Sequence, residues 1–196
     1  VRIASIVEGD GEVLALPVLL RRLAGWRTQG RYVDVSTPIQ VRRDRFLNRE
    51  EDFSRHLLLA AAKAGEDGWV LVLLDADDDC PASKGAEVLQ RAKSVVPHRS
   101  VSVVLANREF EAWFIAAASS LSGHRGFMPD PRLAVHAETP RDAKGWMKSQ
   151  MASRAYSVTT DQPAFCARFD LDQAHAASRS FRKLCSEWDR YVHVEE

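Results

Sequence analysis

The chain has 196 residues, of which 45% are hydrophobic and 28% charged, and its 27 basic side chains balance 27 acidic ones. That length accommodates one substantial core with a small appendage and excludes two full α/β domains. A net charge of zero gives no bulk signal for nucleic acid, no apolar run approaches the roughly 20 residues that span a bilayer, and no signal-peptide pattern opens the sequence.

Taken in order, Arg2 to Val7 is rich in β-formers and reads as a first strand, followed by the Glu8-Gly-Asp-Gly-Glu12 turn. A helix then runs through Leu14 to Leu23, ended by Gly25. Pro17 is awkward inside it, so the regular helix is expected to begin near Leu16 after an irregular lead-in. Tyr32 to Val41 reads as a second strand interrupted by Thr37-Pro38, an edge position or a break. Asn48 caps a helix that continues through Phe53, Leu57, Leu58 and Ala61 to Gly65.

The third strand is Trp69 to Leu74, six apolar residues in a row, as suits a strand buried on both faces of a parallel sheet. Cys80-Pro81 opens a helix stopped by Pro97, and Val101 to Leu105 is a fourth strand. A helix capped by Asn107 follows, with Glu109 and Glu111 in its first turn. The expected fold is α/β and Rossmann-type: a mostly parallel four-stranded sheet flanked by helices over residues 1–120. Residues 121–196 read as a helical extension packed on that core, with short helices led by Thr139–Asp142, Thr160–Pro163 and Ser178.

Candidate chemistry gathers at strand ends, where open α/β sheets bind ligands. Four acids follow the third strand within five residues: Asp75, Asp77, Asp78 and Asp79. If extended geometry persists, Asp75 and Asp77 share a face, and carboxylates held together call for a cation between them. A solvated loop whose last acid caps the next helix is the plainer alternative. Glu8 occupies the equivalent place after the first strand. Glu12 is either a further site residue or a partner of the helix dipole. Glu111 brings another acid to the same edge, whereas Glu109 reads as a dipole partner.

Eight arginines lie between Arg21 and Arg49 against only Asp34 and Asp44. Arg42 and Arg43 are the candidates for contact with nucleic-acid phosphates, although such a run is also compatible with a plain solvated face. Cys80, Cys166 and Cys185 are odd in number and lack metal-type spacing, which argues against structural zinc and favours a reducing, cytoplasmic setting. The six histidines, His56 to His193, form no ligand pair. Neither a phosphate-binding glycine loop with its Lys-Ser/Thr pair nor a serine nucleophile elbow is present.

Four stretches carry a resemblance: Val7-Glu-Gly-Asp-Gly-Glu12-Val-Leu-Ala-Leu-Pro17-Val-Leu, Asp75-Ala-Asp77, Arg108-Glu-Phe-Glu-Ala-Trp-Phe, and Ser178-Arg-Ser-Phe181. The first two resemble the Toprim domain of overcoming-lysogenization-defect nucleases, and the last two resemble a family of small bacterial Toprim-type proteins, domain-of-unknown-function family 4276. The likeness spans roughly Arg2 to Tyr191. It implies a Toprim-like fold and a magnesium or manganese site made by Glu8, Asp75 and Asp77, with Glu12 and Asp79 as further candidate ligands. The nuclease branch also uses a downstream lysine, for which Lys144, Lys148 and Lys183 all qualify.

An all-carboxylate donor set suits magnesium and argues against zinc. The expected function is a metal-dependent endonuclease or nickase acting on nucleic acid, DNA first, as would suit the effector of a defence pair, with oligomerisation open. A catalytically weak Toprim scaffold that binds nucleic acid or a partner ATPase is the first alternative. A phosphate-handling receiver or phosphatase is the second, disfavoured because phosphatases of the Asp-x-Asp type carry that motif on their first strand.

Overall fold

Side-chain alternation along three apolar strands sets the layout. The computed structural model describes residues 1–133 and 135–192; His193 therefore lies outside the described residues. In chain order the elements are β1 (Arg2–Val7), α1 (Asp10–Arg27), β2 (Asp34–Val35), β3 (Ile39–Gln40), α2 (Arg43–Asn48) and α3 (Glu50–Ala64). Then come β4 (Trp69–Asp75), α4 (Pro81–Val95), β5 (Ser100–Ala106), α5 (Ala112–Ala116), α6 (Ala143–Ser149), α7 (Val158–Cys166), α8 (Leu171–Ala177) and α9 (Arg179–Tyr191).

Every strand pairing is parallel, in the order β2-β1-β4-β5, with β3 also paired to β1. The sheet is therefore Rossmann-like with five strands rather than four, because the expected second strand is split. Ile3 pairs with Val35 and Ile6 with Ile39, so β1 advances three residues while its neighbour advances four. The extra residue is absorbed across Ser36–Pro38, where proline has no N–H to give the ladder.

Odd and even residues of the central strands enter different cores. Ile3, Val7, Trp69, Leu71, Leu73 and Val104 pack with α1, α5 and the C-terminal helices. Ala4, Ile6, Val70, Val72, Leu74 and Val103 pack with α2, α3 and α4. Phe165, Phe181, Leu184 and Trp188, all beyond residue 120, belong to the first cluster together with Leu16 and Trp113. The C-terminal helices thus complete one face of the sheet.

Several boundaries differ from expectation. α1 begins at Asp10 and runs unbroken through Pro17 and Gly25. The proline forfeits one backbone bond, which buried Leu16, Leu19, Leu20 and Leu23 outweigh. Asn48 ends the short α2, which sequence periodicity does not reveal, and Arg49 is the N-cap of α3. Asn107 caps no helix: its side chain donates to Glu138 at 3.1 Å, and α5 starts at Ala112. Ser178 caps α9 as expected, its hydroxyl accepting from the Phe181 N–H at 3.1 Å. α8, capped by Asp170, is an addition.

Candidate functional site

β1 and β4 are neighbours, with Ile6 opposite Val72. Continuing that register two residues places Glu8 level with Leu74, beside Asp75. Asp75 ends β4 on the face of Leu71 and Leu73, toward α1 and α5, and its Oδ1 accepts from the Phe110 N–H at 2.8 Å. Burial raises the Asp75 carboxyl well above the usual range, with Glu12 and Glu111 adding to the effect and Lys144 opposing it.

Asp77 does not follow onto that face. Its φ of 50° turns the chain, and its N–H donates to the Arg108 carbonyl at 2.9 Å. Arg108, at φ 66°, donates back to the Asp77 carbonyl at 3.0 Å and to Asp78 at 2.8 Å. The expectation of a shared face assumed extended geometry past Asp75, and this reciprocal turn ends it. Asp77 instead lies 3.5 Å from the Arg43 guanidinium.

Arg43 is only 12% exposed and acts as a clamp. Its Nε donates to the Asp75 carbonyl at 3.0 Å, and its Nη2 reaches Asp79 at 2.5 Å. Arg43, a candidate phosphate contact that also lines the cleft, is thus already engaged within the protein, and Asp79 is paired with it. Glu8 stands between that pair and the Asp75 carboxyl. Burial and Asp77 raise its pKa to about 7, against opposing pulls from Arg43 and Lys144. Its Oε2 is buried without a hydrogen-bond partner among the described residues.

Glu12, at the third position of α1, accepts from the Gly9 N–H as one half of a capping box. A Cβ on Gly9 would lie 2.4 Å from that carboxylate, so a larger residue there would require the Glu12 side chain to shift. Glu111 is fully buried and accepts from Tyr156 at 3.1 Å and Gln162 at 2.8 Å, while its other oxygen has no hydrogen bond among the described residues.

Lys144, just inside α6, is the cation of this acid cluster. Its Nζ lies 3.5 Å from Glu109 and 3.9 Å from Glu111, and Glu109 also accepts its backbone N–H at 2.7 Å. Burial works against the ammonium, but Glu111, Asp75, Glu109 and Glu12 outweigh it and raise its pKa. Among the three candidate lysines the structure brings this one to Asp75. Lys148 is exposed, and Lys183 pairs with Glu187 on α9 at 2.5 Å, bordering a different cavity.

A cleft of about 1110 Å³ opens beside Glu8 and Asp77, and its walls carry Arg42, Arg43, Arg45, Arg49, Arg55 and His56. Arg45 and Arg55 both pair with buried Asp52, whereas Arg42 and Arg49 are exposed and form no ion pair among the described residues. The arginines nearer the N-terminus go elsewhere: Arg22 donates to the Cys166 carbonyl at 2.7 Å, and Arg27 pairs with Asp189 at 2.5 Å.

Sequence reading missed Tyr156, Gln162, Arg55 and the anchoring role of Glu109. One local trace existed: Gly11, where a Cβ would sit 1.9 Å from the Gln162 Oε1, marks how closely α1 and α7 approach. Among the described residues, no three His, Cys, Asp or Glu side chains converge closely enough to hold a metal ion by themselves. No helix among them is long and apolar enough to cross a membrane.

No curated protein and no solved structure matches this chain. A family described as "Domain of unknown function (DUF4276)" matches residues 7–188, nearly the whole length, and the chain belongs to that family.

Proposed function

We propose that the protein is a magnesium- or manganese-dependent phosphodiester hydrolase of Toprim type acting on nucleic acid, DNA first. One observation carries the reading: Glu8 and Asp77 border the same cleft as Arg42, Arg45, Arg49 and Arg55. Carboxylates suited to a hard cation thus open directly onto a track of guanidinium groups suited to phosphate. The motif resemblance supports the same chemistry.

The donor chemistry fits such an ion, since magnesium takes one or two carboxylates and completes its shell with water and substrate phosphate. Glu8, with its partnerless Oε2, and Asp75 would hold it, with Asp77 on the cleft side. Glu12 and Asp79 are engaged by Gly9 and Arg43 and play supporting parts. Bound there, the ion would supply Lewis acidity toward a phosphoryl oxygen and an activated water. Lys144 holds the Asp75 and Glu111 carboxylates against mutual repulsion. Arg42 and Arg49 position the phosphate backbone.

The test is cleavage of supercoiled plasmid with and without magnesium or manganese. The parent should nick or linearise DNA only with metal, and Glu8→Gln and Asp75→Asn should each lose about 10²-fold or more in rate. The second reading is a scaffold that binds nucleic acid or a partner ATPase with little catalysis. It is favoured by the lack of a three-ligand cage among the described residues and by Lys144 already balancing the acids. DNA binding without metal-dependent cleavage in the parent would select it.

A further inference from the structure

We propose that the free edge of β5 receives an extended, acidic segment of a partner protein, which adds to the sheet as a further strand between α4 and α9. β5 is the last strand in the sheet order. The Ala106 carbonyl accepts from the Ala76 N–H at 2.9 Å, so even-numbered carbonyls point toward β4. The Val101 carbonyl instead accepts from the Tyr191 hydroxyl at 3.3 Å, so odd-numbered main-chain groups point outward. Tyr191 closes the edge at Val101. At Val103 and Leu105, no partner for the outward N–H and C=O groups exists among the described residues.

Those two residues form the floor of a cavity of about 500 Å³ walled by α4 on one side and α9 on the other. The α4 wall is small and apolar at Gly85, Ala86 and Leu89, whereas the α9 wall carries Arg179 and Lys183. Arg179 is 83% exposed and pairs at 3.4 Å with Glu138, which also lines the cavity. Lys183 and Arg190 share the single carboxylate of Glu187. The strip therefore offers main-chain pairing, an apolar wall for alternate side chains, and surplus positive charge opposite, which together select an extended segment alternating apolar and acidic residues.

A second copy of the chain fits less well. The edge is recessed between two helices, and antiparallel pairing of two such edges would set α9 against α9, cation against cation. The site shares no residue with the carboxylate cluster, so the inference stands or falls apart from the proposed cleavage.

The probe is a fluorescent, end-blocked Val-Glu-Val-Glu-Val peptide, compared with its Val-Lys counterpart and with a version N-methylated at alternate residues. Cys80 borders the cavity and is the exposed cysteine, whereas Cys166 and Cys185 are buried, so alkylation of Cys80 reports occupancy. The acidic peptide should bind, slow Cys80 alkylation and protect the Val103 and Leu105 amides from hydrogen exchange. Lys183→Glu with Arg179→Glu should weaken binding about tenfold or more, and N-methylation should abolish it. Val103→Pro should keep the fold, because the lost N–H serves no ladder bond, and should also abolish binding. Where Val103→Pro fails to fold, the charge reversal and the N-methylated peptide decide alone. Equal binding of the two charge types, or no protection at Val103 and Leu105, overturns the proposal.

Discussion

At the residue scale, the metal-free site is a set of carboxyls kept near one another by burial and one lysine. Glu8 has an ordinary pKa of 4.5 and a folded value of about 7. The folded state therefore holds a proton that the unfolded chain has released, so stability falls as pH rises from 4.5 to 7. Partial exposure screens the effect, leaving roughly 1–2 kcal/mol across that window. Glu8→Gln should flatten it, read as melting temperature against pH in chelator. Asp75→Asn keeps the acceptor for the Phe110 N–H and replaces a buried carboxyl that disfavours ionisation by a neutral amide, so the metal-free variant should melt at or above the parent. Magnesium at tenfold excess over Kd should stabilise the parent by about 1.4 kcal/mol, roughly 3–6 °C, and the variant hardly at all. Strong destabilisation with an unchanged magnesium response would make Asp75 a structural acceptor only.

At the element scale, the β4 stretch depends on how the chain enters it. A Cβ on Gly68 would lie 2.1 Å from the Ala64 carbonyl oxygen and 2.8 Å from that of Arg2. Both neighbours are backbone, so nothing flexible can yield. Gly68→Ala should cost roughly 2–4 kcal/mol and displace the start of β4. Gly25 offers the opposite case, since it lies inside α1 with nothing within 4 Å of an added Cβ. Gly25→Ala should stabilise by about 0.5–1 kcal/mol. Thermal melts of the pair measure whether packing or helix propensity governs each glycine.

At the scale of the whole molecule, the balanced net charge conceals a division of labour. Arg22, Arg27 and Arg43 hold elements together, while Arg42 and Arg49 face the cleft. Arg42→Ala with Arg49→Ala should weaken binding to all DNA sequences alike and reduce the salt slope by up to about 0.9 for each phosphate no longer neutralised. Arg43→Ala should instead lower the melting temperature, because it frees the Asp75 carbonyl and leaves Asp77 and Asp79 unbalanced. An unchanged salt slope in the double variant would show the cleft arginines to be a solvated face.

The sequence by itself determined the parallel α/β plan, since β-rich runs at Arg2–Val7, Trp69–Leu74 and Val101–Leu105 separated by helical periodicity admit little else. It also placed Glu8 and Asp75 at strand ends and marked the break at Thr37-Pro38, because these are local consequences of backbone chemistry. Only the tertiary structure decided which charges meet. Asp75 and Asp77 part because a turn at φ 50° is stabilised by Arg108, 31 residues away. Lys144 emerges from three equivalent lysines because Glu109 and Glu111 fix the start of α6 against the β5 end. Local pattern fixes which way a side chain faces, whereas partners far apart in sequence are chosen by packing, and no spacing along the chain encodes that choice.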